Sequence, residues 1–118
     1  MEKCVLAIGG LDPGGGAGIL ADARAIQAAG AFACAVASVL TVQSTRGLRR
    51  VVPVDARVWV AQARVVLADQ NVRAIKTGAL GSAANVRAAA KLAGRVPLVV
   101  DPVMIPTRGR ARLLDDDE

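Results

Sequence analysis

The chain has 118 residues, which fits one domain and leaves no room for two ordinary ones. Hydrophobic residues make up 53%, far from a disordered composition, but the stock is narrow: 24 Ala and 17 Val against one Phe, one Trp and no Tyr. There is no His, which excludes a Ser-His-Asp triad, a His general base and a His metal ligand, and two cysteines cannot build a four-ligand zinc site. Ala suits tightly packed helices and Val suits strands buried on both faces, so a layered α/β fold is expected.

Taken in chain order, Cys4–Ile8 is a continuous apolar run ending at Gly9-Gly10, the pattern of a buried strand followed by a turn. Residues 17–29 place Ile19, Ala23 and Ile26 on one helical face, with Gly30 as a C-terminal cap. Phe32–Val42 is a second strand, and Leu48–Val54 a short peripheral one carrying Arg49 and Arg50. Asp55 is placed to cap a helix running to about Asp69, with Val58, Ala61 and Val65 expected to face inward. Val72–Lys76 is a strand. Ser82 caps a third helix to about Ala93, closed by Gly94, and Leu98–Val103 is a last strand interrupted by Pro102. The order β-α-β-β-α-β-α-β implies mostly parallel pairing through right-handed crossovers. No apolar run approaches the roughly 20 residues of a membrane span. Cys4 and Cys34 sit in apolar runs and are expected as reduced, buried thiols of a cytoplasmic protein.

The net charge is +5, but the acids are unevenly placed. Residues 3–114 carry 15 basic and 5 acidic groups, a net of +10. Such a body attracts anions, or is simply an Arg-rich solvated surface. Basic residues are not interleaved with aromatics that could stack bases, which counts against nucleic acid as a partner.

In parallel sheets ligands bind outside the carboxyl ends of the strands, so four loops carry the information: 9–18, 41–47, 77–82 and 101–109. The first, GGLDPGGGAG, has six glycines in ten residues and opens a helix. Glycine lets backbone amides approach a ligand closely, though a tight strand–helix turn would need the same residues. It is not a Walker-type loop, since no Gly-Lys-Ser/Thr follows, and no GxGxxG can be placed. Asp22, one turn into that helix, is either a carboxylate resting on the helix dipole or an acceptor for a substrate hydroxyl or amine. Gln43 can donate and accept together, which suits a heterocycle edge. KTGALGS brings Lys76 to a loop containing Gly78 and Gly81. Asp101 ends a buried strand, where an acid serves a metal or a phosphate-bound metal, or acts as a turn residue before Pro102.

Together and in this order, GGLDPGGGAGILAD, ASVLTVQSTRG, IKTGALGS and VVDPVM resemble the successive signatures of the hydroxymethylpyrimidine/phosphomethylpyrimidine kinases of thiamine biosynthesis. These are ribokinase-like enzymes, with pyridoxal kinases as close relatives. The resemblance covers roughly residues 4–115 and implies a three-layer, mainly parallel, incomplete ribokinase-like fold. It implies ATP-dependent phosphorylation of hydroxymethylpyrimidine or its monophosphate, with Mg2+. By the same resemblance, Asp22 lies near the hydroxymethyl group and Gln43 bonds the aminopyrimidine edge. Gly10, Ala17 and Val103 form pocket wall. Asp101, Lys76 and Arg108 face the nucleotide and phosphate, Asp101 through Mg-ATP. Phosphoryl transfer asks the protein for alignment and charge neutralisation, which is consistent with a site lacking His.

The chain departs from the family pattern in three places. Ala79 stands where the family usually has Met, which widens the pocket wall. PTRG replaces a Ser/Lys-rich turn, which puts Arg108 in the basic role. Family members are about twice as long, and the other half carries the anion hole, the residue activating the hydroxyl and most of the ATP pocket. No catalytic residue is therefore expected in this chain. It reads as the N-terminal, substrate-side half of a single kinase domain: a truncated product, or a pyrimidine-binding module or subunit completed by a C-terminal half in another chain. Either way the last strand should offer a bare edge or face, and self-association or poor solubility is expected.

Overall fold

A computed structural model of the chain describes residues 2–94 and 96–103. Five strands and three helices alternate as β1 (Lys3–Leu11), α1 (Gly18–Ala28), β2 (Phe32–Ser44), β3 (Gly47–Pro53), α2 (Ala56–Asp69), β4 (Asn71–Thr77), α3 (Ala83–Ala93) and β5 (Leu98–Val100). The sheet order is β3-β2-β1-β4-β5. Pairing is parallel except for the antiparallel β2–β3 hairpin.

The layers follow from this order. The chain steps from β1 one way to β2, then back past β1 to β4 and on to β5. Right-handed crossovers in opposite directions put their helices on opposite faces. Accordingly α1 packs on β1 and β2, while α2 packs with α3 and against β2 and β4. The side chains of β1 divide between the two: Cys4, Leu6 and Ile8 join Trp59, Ala63 and Ala89 in the main core. On the other face a side chain at Gly9 would meet Ile19 of α1. The result is a three-layer α/β fold with a mostly parallel, mixed sheet, the layered α/β class expected from the residue pattern and the three layers implied by the family resemblance.

Three local readings are corrected. β1 does not turn at Gly9-Gly10 but continues to Leu11, with Gly10 opposite Val39 and Leu11 opposite Leu40. β2 likewise continues through Gln43, because β3 supplies it with hydrogen-bonding partners beyond the point where β1 stops. The inward face of α2 is also different. Val58 and Val65 are exposed, at 53% and 67%, while Trp59 and Ala63 are fully buried. Apolar residues occur on several sides of this helix, so more than one stripe satisfies helical spacing. The indole decides, because it buries the most surface and its Nε1 donates to Asn85 Oδ1 at 3.0 Å.

Cys4 and Cys34 are free and buried. Both thiols sit beside Gln70 Oε1, at 3.5 and 3.1 Å, at the end of the sheet where β1 and β2 begin. Burial, and then the neighbouring Cys4, push the Cys34 thiol upward, which disfavours its thiolate. Among the described residues, no helix is long and apolar enough to cross a membrane.

Candidate functional site

The chain reverses direction between β1–β2 and β4, and that switch is where an open α/β sheet leaves a crevice at its carboxyl edge. A cavity of about 600 Å³ lies there. Its lining draws on the segments after β1, β4 and β5 and on the β2–β3 hairpin. Gly10, Ala17, Asp22, Gln43, Lys76, Asp101 and Val103 all border this one hollow. Arg108 lies outside the described residues.

The glycine-rich segment is held by a residue the sequence reading passed over. Asp12 is buried at 7% exposure. Its Oδ1 accepts from the Gly14 amide at 2.9 Å and its Oδ2 from the Ala17 amide at 3.1 Å. The Gly15 amide closes back on the Asp12 carbonyl at 3.0 Å, and the Arg24 guanidinium donates to the Gly15 carbonyl. A carboxylate followed by small, flexible residues is a turn-forming signal, and it was legible here as Asp12-Pro13-Gly14. Gly18 then opens α1 at φ +65, and a Cβ there would stand 2.2 Å from the Gly10 carbonyl oxygen. Only glycine allows the helix to start this close to β1.

Asp22 sits one turn along α1 and meets Lys76 from β4. Lys76 Nζ lies 2.9 Å from both Asp22 oxygens. The two side chains are 19% and 25% exposed, so the pair is sheltered without being sealed from solvent. The dipole of α1 is thus not Asp22's main partner; the ammonium is. Gln43 stands on β2, with its Oε1 3.1 Å from Thr41 Oγ1, and Thr41 donates to the Leu11 carbonyl at 2.7 Å. Thr41, which the motif reading did not single out, thereby ties the Gln43 end of β2 to the end of β1. Both borders of the hollow are fixed by short hydrogen bonds rather than by bulk.

The third wall is the 77–82 segment, carried on a buried polar hub. Ser38 Oγ donates to the Ala79 carbonyl at 2.8 Å. Asn85 Nδ2 reaches the carbonyls of Leu80, Ser38 and Val54 at 2.8, 3.1 and 3.2 Å. These bonds tie the 77–82 segment to β2 and to the start of α2 through backbone carbonyls. Gly81, at φ +86, leaves no space for a Cβ, which would lie 2.6 Å from Val39 Cγ2. On the fourth side, the Asp101 amide donates to the Thr77 carbonyl at 2.9 Å and places its exposed carboxylate at the mouth.

Chemically, the hollow offers one carboxylate–ammonium pair, one amide able to donate and accept, a rigid wall of backbone and a second carboxylate at the rim. That set suits a small polar heterocycle bearing a hydroxyl. Among the described residues no group of three His, Cys, Asp or Glu could hold a metal by itself.

The comparisons with known proteins agree with this geometry. A profile described as phosphomethylpyrimidine kinase matches residues 12–118. A hydroxymethylpyrimidine/phosphomethylpyrimidine kinase of Rhizobium meliloti is 39% identical over 118 residues, covering 98% of this chain and 44% of the relative. The crystal structure of a phosphomethylpyrimidine kinase from Clostridium difficile superposes with a TM-score of 0.83 at 33% identity, covering 97% of this chain and 50% of that one. A pyridoxal kinase from Staphylococcus aureus in complex with AMP-PCP gives a TM-score of 0.77 at 29% identity, covering 89% of this chain and 40% of that one. The chain thus spans half or less of the length of these relatives. With its profile match, its sheet order and its strand-end hollow all in agreement, the chain belongs to the phosphomethylpyrimidine kinase family.

Proposed function

We propose that this chain is the substrate-side half of a kinase that phosphorylates hydroxymethylpyrimidine, its monophosphate or both, with ATP as donor. The observation that carries the reading is the convergence of Gly10, Asp22 and Gln43 on one cavity of about 600 Å³. Gln43 is placed for an aminopyrimidine edge, and Asp22 accepts from the hydroxymethyl group and orients its oxygen outward to the rim. The wall of Gly10, Ala17, Ala79 and Val103 excludes water from the ring faces.

ATP as donor is supported by the AMP-PCP complex of the structural neighbour, AMP-PCP being an ATP analogue. Mg2+ is tested by the donors present. It takes one or two carboxylates and leaves its other positions to phosphate oxygens and water. The exposed Asp101 carboxylate, with no cation paired to it among the described residues, fits one such contact. When bound, the ion neutralises phosphate charge. The chain's own part is to align substrate and rim.

Turnover needs more than this half. A preorganised anion site is worth about 3–4 kcal/mol per donor in acyl-transfer enzymes, and the resemblance puts the family's anion hole outside this chain. A C-terminal half, in cis or from another chain, is the proposed completing partner. The test is calorimetric titration of the chain with hydroxymethylpyrimidine, followed by a phosphorylation assay with ATP and Mg2+. Binding that is lost in Asp22→Ala, with phosphorylation appearing only when a C-terminal half is added, is the expected result. Absence of binding to the folded chain would overturn the proposal.

A further inference from the structure

Among the described residues, the cavity bears four ionisable side chains: Asp12, Asp22, Asp101 and Lys76. Asp12 is committed, each oxygen holding a backbone amide. That leaves two carboxylates and a single ammonium among the described lining residues, and the ammonium is bound to both oxygens of Asp22. A neutral alcohol enters such a site without electrostatic conflict, because Asp22 keeps lone pairs for a hydroxyl while Lys76 stays in place. A phosphate monoester does not. It brings about −1.5 to −2 charge at neutral pH into a site where the unpaired Asp101 carboxylate repels it and the one ammonium among the described residues is held by Asp22.

Resting on the functional reading above, we propose that the Asp22–Lys76 pair selects between the two substrate forms: it stays closed over the alcohol and opens for the monoester, whose phosphate takes Lys76 Nζ from Asp22. Lys76 is thereby the specificity-determining residue for the monophosphate. Lysine suits this exchange, being a point charge on a flexible four-carbon stem with three donors. The neighbouring backbone leaves it space. Gly78 has no positive φ that would require glycine, yet a Cβ built there would stand 3.3 Å from Lys76 Nζ.

The experiment titrates the chain with hydroxymethylpyrimidine and with its phosphate monoester. In Lys76→Gln, monoester affinity is expected to fall at least about tenfold more than alcohol affinity, the loss expected when one partner of a charge pair is removed. Lys76→Arg, which keeps the cation, should recover most of that difference. Asp22→Asn should move the ratio the other way, tightening the monoester relative to the alcohol, because Lys76 is released. Equal losses for both ligands in Lys76→Gln, or an unchanged ratio in Asp22→Asn, overturn the proposal. Thermal melting of each variant reports folding; if Lys76→Gln does not fold, the Arg and Asn variants decide the outcome by the same ratio. Alcohol binding with no monoester binding to the wild-type chain sinks this proposal alone, whereas failure of both ligands sinks the functional reading and this inference with it.

Discussion

Two residues near the start of α1 set the shape of the hollow, and they do so by opposite means. Asp12 holds the glycine-rich segment by accepting two backbone amides. Gly18 permits its closure by having no side chain, since a Cβ would lie 2.2 Å from the Gly10 carbonyl oxygen. Gly18→Ala combines that clash with a left-handed backbone, and it should cost roughly 2 kcal/mol or more, read from denaturant unfolding. Gly30→Ala is the control: its φ is +94 but its Cβ would meet nothing within 4 Å, so it should cost clearly less. The glycine pattern was legible in the sequence. Which glycine was indispensable was not, because that depends on how near α1 comes to β1.

At the scale of elements, α2 shows where periodicity loses its power. Both the Val58–Ala61–Val65 stripe and the Trp59–Ala63 stripe satisfy helical spacing, and the structure buries the second. Trp59→Ala is expected to cost about 3–5 kcal/mol, and Val65→Ala under about 0.5 kcal/mol, in thermal or denaturant unfolding. The caps, by contrast, were readable. Asp55 accepts from the Arg57 amide at 2.8 Å, and Ser82 Oγ accepts from the Asn85 amide at 3.1 Å. Hydrogen bonds from Arg57, side chain first and then backbone, hold the Asp55 carboxyl down to about 2. A depressed carboxyl stabilises the fold above its unfolded value near 4 and loses that contribution as pH falls toward about 2. Asp55→Asn should therefore lower stability in the neutral region and flatten the acid limb between those limits, the two stability–pH curves converging toward pH 2.

For the whole molecule, the consequential feature is the β5 side of the sheet. Among the described residues β5 is an edge strand, and its Leu98, Val99 and Val100 are 37%, 59% and 57% exposed. Adjacent strand residues face opposite ways, so both faces there are bare. The α1 layer packs chiefly on β1 and β2. A short apolar edge of this kind pairs with other chains unless something covers it. Concentration-dependent association is expected by light scattering, and Val99→Lys should reduce it without lowering the melting temperature appreciably. An unchanged, concentration-independent monomer in both proteins would contradict this.

What the sequence determined by itself was the order of elements, both side-chain caps and the set of loops that meet at the carboxyl edge. These are local properties: apolar runs, spacing, capping chemistry and glycine content are written along the chain. The tertiary structure alone decided that Asp22 answers to Lys76, 54 residues away, that Trp59 turns α2, and that Asp12 and Thr41 brace the hollow. Those outcomes depend on which distant groups compete for the same space, charge or hydrogen bond, and only the folded sheet brings them within reach of one another.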